Sequence, residues 1–470
     1  MNDLSIGPLQ ACFESQRART RAEPIPPWDV RADRLRRLRG LVQRHRQAFG
    51  AAIRDDFGNR SLHETDLLEV FPSVKGIDHA LASGQRWMRS RRVPVSWIFK
   101  PGQASVLPQP LGVVGIIVPW NYPLYLAVGP LTAALAAGNR AMVKLSEFTP
   151  RFGDLFQRAA GEAFAEDELA VFNGDVDTAR AFTALPFDHL LFTGSTAVGH
   201  HVMRAASEHL VPVTLELGGK SPAIIGPGAD LAHAAERIMA GKLMNAGQTC
   251  IAPDYVLLPA DRQAAFLDAA RRVVARMYPR IGATPDFTSI VTDRQFGRLA
   301  SLVDEARAHG ATVVPLSDAP VDPARRLMPP VALTGVPEGS RALTEEIFGP
   351  VLPVVPYRSL DEALAFVNAR PRPLALYVFD RDRDTIDRTL AGTTAGGVTV
   401  NDTLLHIAQD ELPFGGVGPS GMGSYHGEAG FRTFSHAKPV FRQSRFNGAA
   451  LLSPPYGPRF ERMLRFLLGR

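Results

Sequence analysis

Val113-Val114-Gly115-Ile116-Ile117-Val118-Pro119-Trp120-Asn121-Tyr122-Pro123 opens on an uninterrupted apolar run and closes on a proline-bounded turn. A short β-branched run with turn residues behind it reads as a strand buried on both faces. Helical spacing follows over residues 123–137. The same unit recurs: 141–145 precedes a helix near 153–164, and 189–192 precedes one at 196–209. Buried strands alternating with crossover helices predict an α/β fold built on a doubly wound parallel sheet. A second α/β series is expected beyond 216–219, where a strand runs into a glycine pair. Its elements are a strand at 223–226, a helix at 230–246 with Asp230 as N-cap, a strand at 255–259 and helices at 262–276 and 293–309. A strand at 351–357, a helix at 360–368 and a strand at 374–379 complete it. Upstream, 31–56 and 61–89 read as amphipathic helices, and 95–107, around Pro101-Gly102, as a hairpin.

A chain of 470 residues exceeds what one core supports, since a single core stops growing near ~250–300 residues. Two or three domains are expected. An apolar content of 45%, with 21% charged residues, excludes collagen-like, coiled-coil and disordered chains. The 52 basic and 47 acidic residues leave a formal charge of only +5. The arginine groups at 34–37 and 89–92 read as solvated helix faces, so no nucleic-acid partner is expected. Lysine is scarce, at six of the 52 basic residues. A lysine kept in a motif therefore hints at a need for a compact ammonium, with coding bias as the alternative.

Two cysteines, Cys12 and Cys250, make no disulfide framework, and no Cys/His cluster has zinc spacing. The expectation is a reducing, cytoplasmic setting and no metal. No signal-peptide pattern is read in residues 1–21. Residues 102–139 carry no charge, but Pro108, Pro110, Pro119, Pro123 and Pro130 interrupt any membrane span. After a proline-rich break at 454–458, Phe460, Met463, Leu464, Leu467 and Leu468 recur at helical spacing. This basic amphipathic tail is expected to dock on the protein's own body or a second subunit, ahead of a membrane surface.

Five segments carry candidate chemistry. Gly247-Gln248-Thr249-Cys250 puts one of two cysteines just past a helix end; it is a small buried thiol or a nucleophile. Leu215-Glu216-Leu217-Gly218-Gly219-Lys220 holds a carboxylate between leucines. Desolvation there would raise its pKa towards that of a useful base, unless backbone donors satisfy it. Asn121, at a strand's C-terminal end, could donate to a developing oxyanion or be an ordinary turn asparagine. Phe192-Thr193-Gly194-Ser195-Thr196-Ala197-Val198-Gly199 joins a strand to a helix N-terminus suited to a pyrophosphate, without the G-x-G-x-x-G spacing. Lys144 and Glu147 end another strand, where they could hold ribose hydroxyls or form a surface ion pair.

Taken together, these segments resemble the NAD(P)-dependent aldehyde dehydrogenase superfamily. The resemblance rests on Pro119-Trp120-Asn121, Lys144 with Glu147, Phe192-Thr193-Gly194-Ser195, and Glu216-Leu217-Gly218-Gly219-Lys220. Further on come Gly247-Gln248-Thr249-Cys250, Glu346-Ile347-Phe348-Gly349-Pro350 and Pro413-Phe414-Gly415-Gly416, all in the family's order. Coverage runs from about residue 31 to 436. Cys250-Ile251-Ala252-Pro253-Asp254-Tyr255 and Ser420-Gly421-Met422-Gly423-Ser424-Tyr425-His426-Gly427 are similar to the class 3 branch. Pro72-Ser73-Val74-Lys75-Gly76-Ile77 and Arg86-Trp87-Met88 resemble bacterial coniferyl aldehyde dehydrogenases.

The resemblance implies a Rossmann-type cofactor domain (1–93 and 109–216), a bridging, oligomerising element (94–108 with 416–445), an α/β catalytic domain (217–401) and a C-terminal tail (446–470). It implies that Cys250 attacks an aldehyde to give a thiohemiacetal, then a thioester, with Asn121 holding the oxyanion and Glu216 activating water. It assigns Lys144 and Glu147 to the adenine ribose, and Gly194, Ser195 and Gly199 to the pyrophosphate turn. Glu346 falls to the nicotinamide ribose, Trp120 and Phe348 pack alongside, and Tyr122 lines the substrate pocket. An acid at 147 favours NAD while leaving NADP open. The expected substrate is an aromatic or medium-to-long aliphatic aldehyde, and a homodimer follows by analogy. Transfer of the acyl group to coenzyme A is the rival chemistry, and Glu216 argues against it. A cofactor-binding protein without turnover is the other rival.

Overall fold

The computed structural model describes residues 3–448 and 453–469. Val113–Ile117 stands in the middle of a six-stranded sheet, paired in parallel with Arg140–Lys144 on one side and His189–Thr193 on the other. Leu169–Phe172 extends the first side and Val213–Glu216 the second. The strand order therefore reverses at Val113–Ile117, and the loops following it and His189–Thr193 flank the crevice of a topological switch point.

Helix Tyr125–Ala137, which crosses over from Val113–Ile117, is apolar on nearly every face. It is correspondingly buried, packing against helices Trp28–Phe57 and Phe71–Trp87. It ends at Gly138, whose φ of 94° suits glycine. Arg31 takes the carbonyls left open by that end, donating through Nη1 to Ala136 (3.1 Å) and Ala137 (2.6 Å). An arginine of helix Trp28–Phe57 thereby fixes the end of the crossover helix.

The second series forms a seven-stranded sheet. Its order is Thr312–Pro315, Val331–Thr334, Val351–Tyr357, Tyr255–Pro259, Pro222–Ile225, Ala375–Phe379 and Gly397–Val400. All pairs are parallel except at the Thr312–Pro315 edge. Asp230 does cap its helix, Leu231–Leu243, accepting from the His233 N–H. That helix stops three residues before the expected end. Asn245, Ala246 and Gly247 follow with φ of 53°, 51° and 78°.

The hairpin forms, with shifted strands: Arg91–Val93 pairs with Gln103–Pro110, and Ser435–Arg442 adds a third antiparallel strand. The segment 416–445 is shared between sheets, because Gly421–Met422 pairs with Val213–Glu216 at the edge of the six-stranded sheet. Tail helix Pro458–Leu467 lies against the hairpin turn, with the Phe466 and Trp97 rings 6.1 Å apart. Residues 449–452 and 470 of the tail lie outside the described residues. No helix among the described residues is long and apolar enough to cross a membrane.

Helix Asp3–Ala22 is not evident in the sequence. Its buried stripe is Leu9, Cys12, Phe13 and Gln16, so a polar residue completes the apolar face. The Gln16 amide nitrogen is satisfied there by donating to the carbonyls of Ala141 (3.1 Å) and Glu166 (2.7 Å).

Candidate active site

Cys250 and Glu216 line one cavity of about 370 Å³. Leu68, Phe71, Tyr122, Leu404, Ile407 and Phe414 make much of its wall. Such a lining suits an apolar guest with few polar groups. Glu216 ends the strand Val213–Glu216, is 2% exposed, and neither carboxylate oxygen has a hydrogen-bond partner. Burial drives its pKa well up. Of the two sequence readings, the satisfied carboxylate is thus excluded. Cys250 is half-buried. Burial, then the acids Glu346 and Glu216, push its thiol up to about 12. A nucleophile in this site needs a proton acceptor or a nearby positive charge at the moment of attack.

The loop that presents Cys250 is held by three left-handed residues and a buried glutamine. Gln248 donates through Nε2 to Asn245 (3.0 Å) and Ser289 (3.1 Å) and accepts from the Val291 N–H (3.0 Å). An added Cβ at Gly247 would drive into the Gly349 backbone, on top of its positive φ. Gly247→Ala is therefore expected to cost at least about 1–2 kcal/mol of backbone strain, read as a lowered Tm together with loss of turnover.

Asn121 is not among the residues that line the cavity; it is 3% exposed, with Nδ2 donating to the Gln248 carbonyl at 3.2 Å, two residues before Cys250. An amide nitrogen has two hydrogens, so one remains for an oxyanion. Its neighbour Tyr122 lines the cavity and shares a 2.7 Å hydrogen bond with Thr249.

The remaining sequence-predicted residues gather on the crevice side of the strand ends. Lys144 is 1% exposed and donates to the carbonyls of Leu145 (2.6 Å) and Gly174 (2.7 Å), while burial lowers its pKa. An ammonium has three hydrogens, so one is left over for a ligand. Glu147 is exposed beyond the same strand. Ser195 caps helix Thr196–Ser207 by accepting from the Val198 N–H. Gly194 has no room for a Cβ beside the Phe192 ring, nor Gly199 beside Leu217, so the second glycine lets the helix approach the strand end. Glu346 sits against Gly218, its Oε1 without a partner. Burial lifts its pKa to about 8, with Asp254 adding and the Gly219 N–H, Lys220 and Arg298 opposing. Phe348, at φ 51°, packs T-shaped against Trp120 with ring centroids 5.4 Å apart. An orphaned buried carboxylate, a lysine with a spare hydrogen and a helix N-terminus at the switch point fit a dinucleotide with ribose hydroxyls and a pyrophosphate.

Sequence reasoning missed Arg60, Glu69 and Asn245. Each is fully buried and within one or two bonds of Asn121. Asn245 alone had a local signal, since it begins the polar stretch that leads to Cys250.

Comparison with known proteins agrees with this geometry: residues 10–440 match the model of the aldehyde dehydrogenase family, and the chain belongs to that family of oxidoreductases. It is 52% identical over 465 residues to a probable coniferyl aldehyde dehydrogenase of Pseudomonas aeruginosa, spanning 99% of this chain and 97% of the relative. Among solved structures, a substrate-bound state of Staphylococcus aureus AldH superposes with a TM-score of 0.93 at 36% identity, over 99% of this chain and 100% of that one. A Mycobacterium tuberculosis aldehyde dehydrogenase complexed with NAD+ superposes at 0.84 with 28% identity, over 94% and 91%.

Proposed function

We propose that the protein oxidises an aromatic aldehyde of the coniferaldehyde type to its carboxylic acid with NAD, and that Cys250, Glu216 and Asn121 carry the reaction. The observation that bears most weight is the shared apolar cavity, with a thiol and an unpartnered carboxyl on its wall. The substrate class is supported by that lining and by the Pseudomonas aeruginosa relative.

The thiol of Cys250 releases its proton to solvent as the sulfur adds to the aldehyde carbon, giving the oxyanion of a thiohemiacetal. The spare Asn121 N–H and the Cys250 backbone N–H hold the new oxyanion, each worth about 3 kcal/mol in the transition state. When bound, oxidised NAD supplies a positive ring beside the thiol and accepts the hydride. The chain is left as a thioester on Cys250. Glu216, once deprotonated, takes a proton from water as the water attacks the thioester carbon. Thiol and acid are released. Lys144 and Glu147 hold the adenine ribose, Ser195 and the N–H groups at its helix start the pyrophosphate, and Glu346 the second ribose. The halves 1–93 with 109–216 and 217–401 serve as cofactor and catalytic domains. The exposed edge of Ser435–Arg442 serves a homodimer in the cytoplasm.

Purified protein mixed with NAD and coniferaldehyde, benzaldehyde or hexanal is expected to form NADH and free acid without coenzyme A, with the highest kcat/KM for coniferaldehyde. A coenzyme A requirement would replace hydrolysis by acyl transfer, and a preference for hexanal would replace the aryl substrate.

A further inference from the structure

Beneath Asn121 lies an ion pair with no access to water. Arg60 and Glu69 are both 0% exposed in their side chains, with Nη1 and Oε1 3.0 Å apart. The same Nη1 donates to the backbone carbonyl of Asn121 at 3.0 Å. The other Glu69 oxygen accepts from the N–H groups of Leu124 (2.7 Å) and Tyr125 (3.1 Å). Those groups open helix Tyr125–Ala137, which has no capping side chain of its own. The pair thus grips the turn 121–125 at both ends.

The arrangement is costly. Nε and Nη2 of Arg60 have no hydrogen-bond partner, and the guanidinium lies over the rings of Phe57 (5.2 Å) and Tyr122 (4.9 Å). A buried ion pair is commonly no more stabilising than apolar residues of the same size, so stability alone does not account for it. Glu69 is delivered by a π-helical turn, Asp66–Val70, set between helices Leu62–Thr65 and Phe71–Trp87. Such insertions concentrate at functional sites. Asn245 braces the same point from the nucleophile loop, its Nδ2 donating to the Asn121 carbonyl (3.0 Å) and the Gln248 carbonyl (3.1 Å). The backbone that carries the oxyanion amide is therefore joined to the backbone that carries the sulfur, and Arg60 fixes the join from the far side.

We infer that Arg60 and Glu69 are positioning residues that set the Asn121 amide against Cys250. The inference rests on the oxyanion role proposed for Asn121. Lysine at 60 keeps the charge and a single nitrogen to share between the carbonyl and the carboxylate, yet it lacks the flat head that lies on the rings of Phe57 and Tyr122 and so fixes where that nitrogen stands.

The test is a double-mutant cycle of Arg60→Lys with Asn121→Ala, read as kcat for aldehyde oxidation, with NAD affinity and Tm measured on each variant. Arg60→Lys is expected to lower kcat by about 10- to 100-fold, as for a small misplacement of a catalytic group, while leaving NAD affinity unchanged. In the Asn121→Ala background the same change is expected to lower kcat by less than about 2-fold, because the group it orients is gone. Equal losses in both backgrounds, or no loss in the first, would overturn the inference and leave the role of Asn121 standing. A wild-type kcat for Asn121→Ala alone would overturn the role of Asn121, and the inference with it. Glu69→Gln, which still accepts a backbone N–H, runs through the same cycle should Arg60→Lys not fold, with the same non-additivity expected.

Discussion

Cys250→Ala is expected to bind NAD as tightly as the natural chain and to oxidise no aldehyde. The sulfur belongs to the only thiol among the residues that line the cavity, and methyl in its place leaves both the Glu216 pocket and the crevice intact. Loss of a nucleophile costs on the order of 10⁴-fold or more in kcat, roughly 5 kcal/mol of barrier. Ester hydrolysis, which needs the same thiol and no hydride transfer, is expected to fall in parallel. Retention of either activity above a few per cent would move the nucleophile elsewhere. Because burial holds the thiol near 12, the protein without cofactor is expected to react slowly with iodoacetamide at neutral pH, and faster once NAD is present.

Glu216→Gln is expected to release one equivalent of NADH in a burst and then stall, since the amide cannot take a proton from water. The pH dependence has a definite sign. Burial raises the Glu216 pKa, and the base works deprotonated, so the hydrolytic rate of the natural chain climbs with pH until that raised value is passed. Stability runs the other way. A carboxyl that is harder to ionise when folded contributes most below its unfolded pKa, and that contribution is lost as pH rises towards the folded one. Glu216→Gln escapes this loss, so its Tm relative to the natural chain is expected to be lowest at pH 4 and to rise as the pH climbs towards the raised value. A normal steady-state rate in the variant would count against Glu216 as the base, and a Tm difference independent of pH against its buried ionisation.

The strands that run apolar from end to end, such as Val113–Ile117, Tyr255–Pro259 and Val351–Tyr357, were legible because two buried faces leave no room for polar residues. The four-residue strands Leu169–Phe172 and Val331–Thr334 were missed, being too short for periodicity to register. Helix Asp3–Ala22 hid because Gln16 occupies a core position and is paid for by carbonyls more than a hundred residues away. Asn121, Ser195 and Glu216 were legible because glycine or proline stands within two residues of them at a strand end, where backbone and ligand must meet, and Cys250 because it is one of only two cysteines. Arg60 and Glu69 were not, being one arginine among many and one glutamate in a helix. Their meaning lies in a fold that buries them together under Asn121.

The central claim is that an acyl group passes through the sulfur of Cys250 and is released by Glu216. Its most direct test is the intact mass of Glu216→Gln, quenched in acid milliseconds after mixing with NAD and coniferaldehyde. The account predicts a species heavier by the acyl group, at up to one per chain and mapped by peptide analysis to Cys250. Full NADH release with no adduct, or with the adduct on another residue, would contradict it.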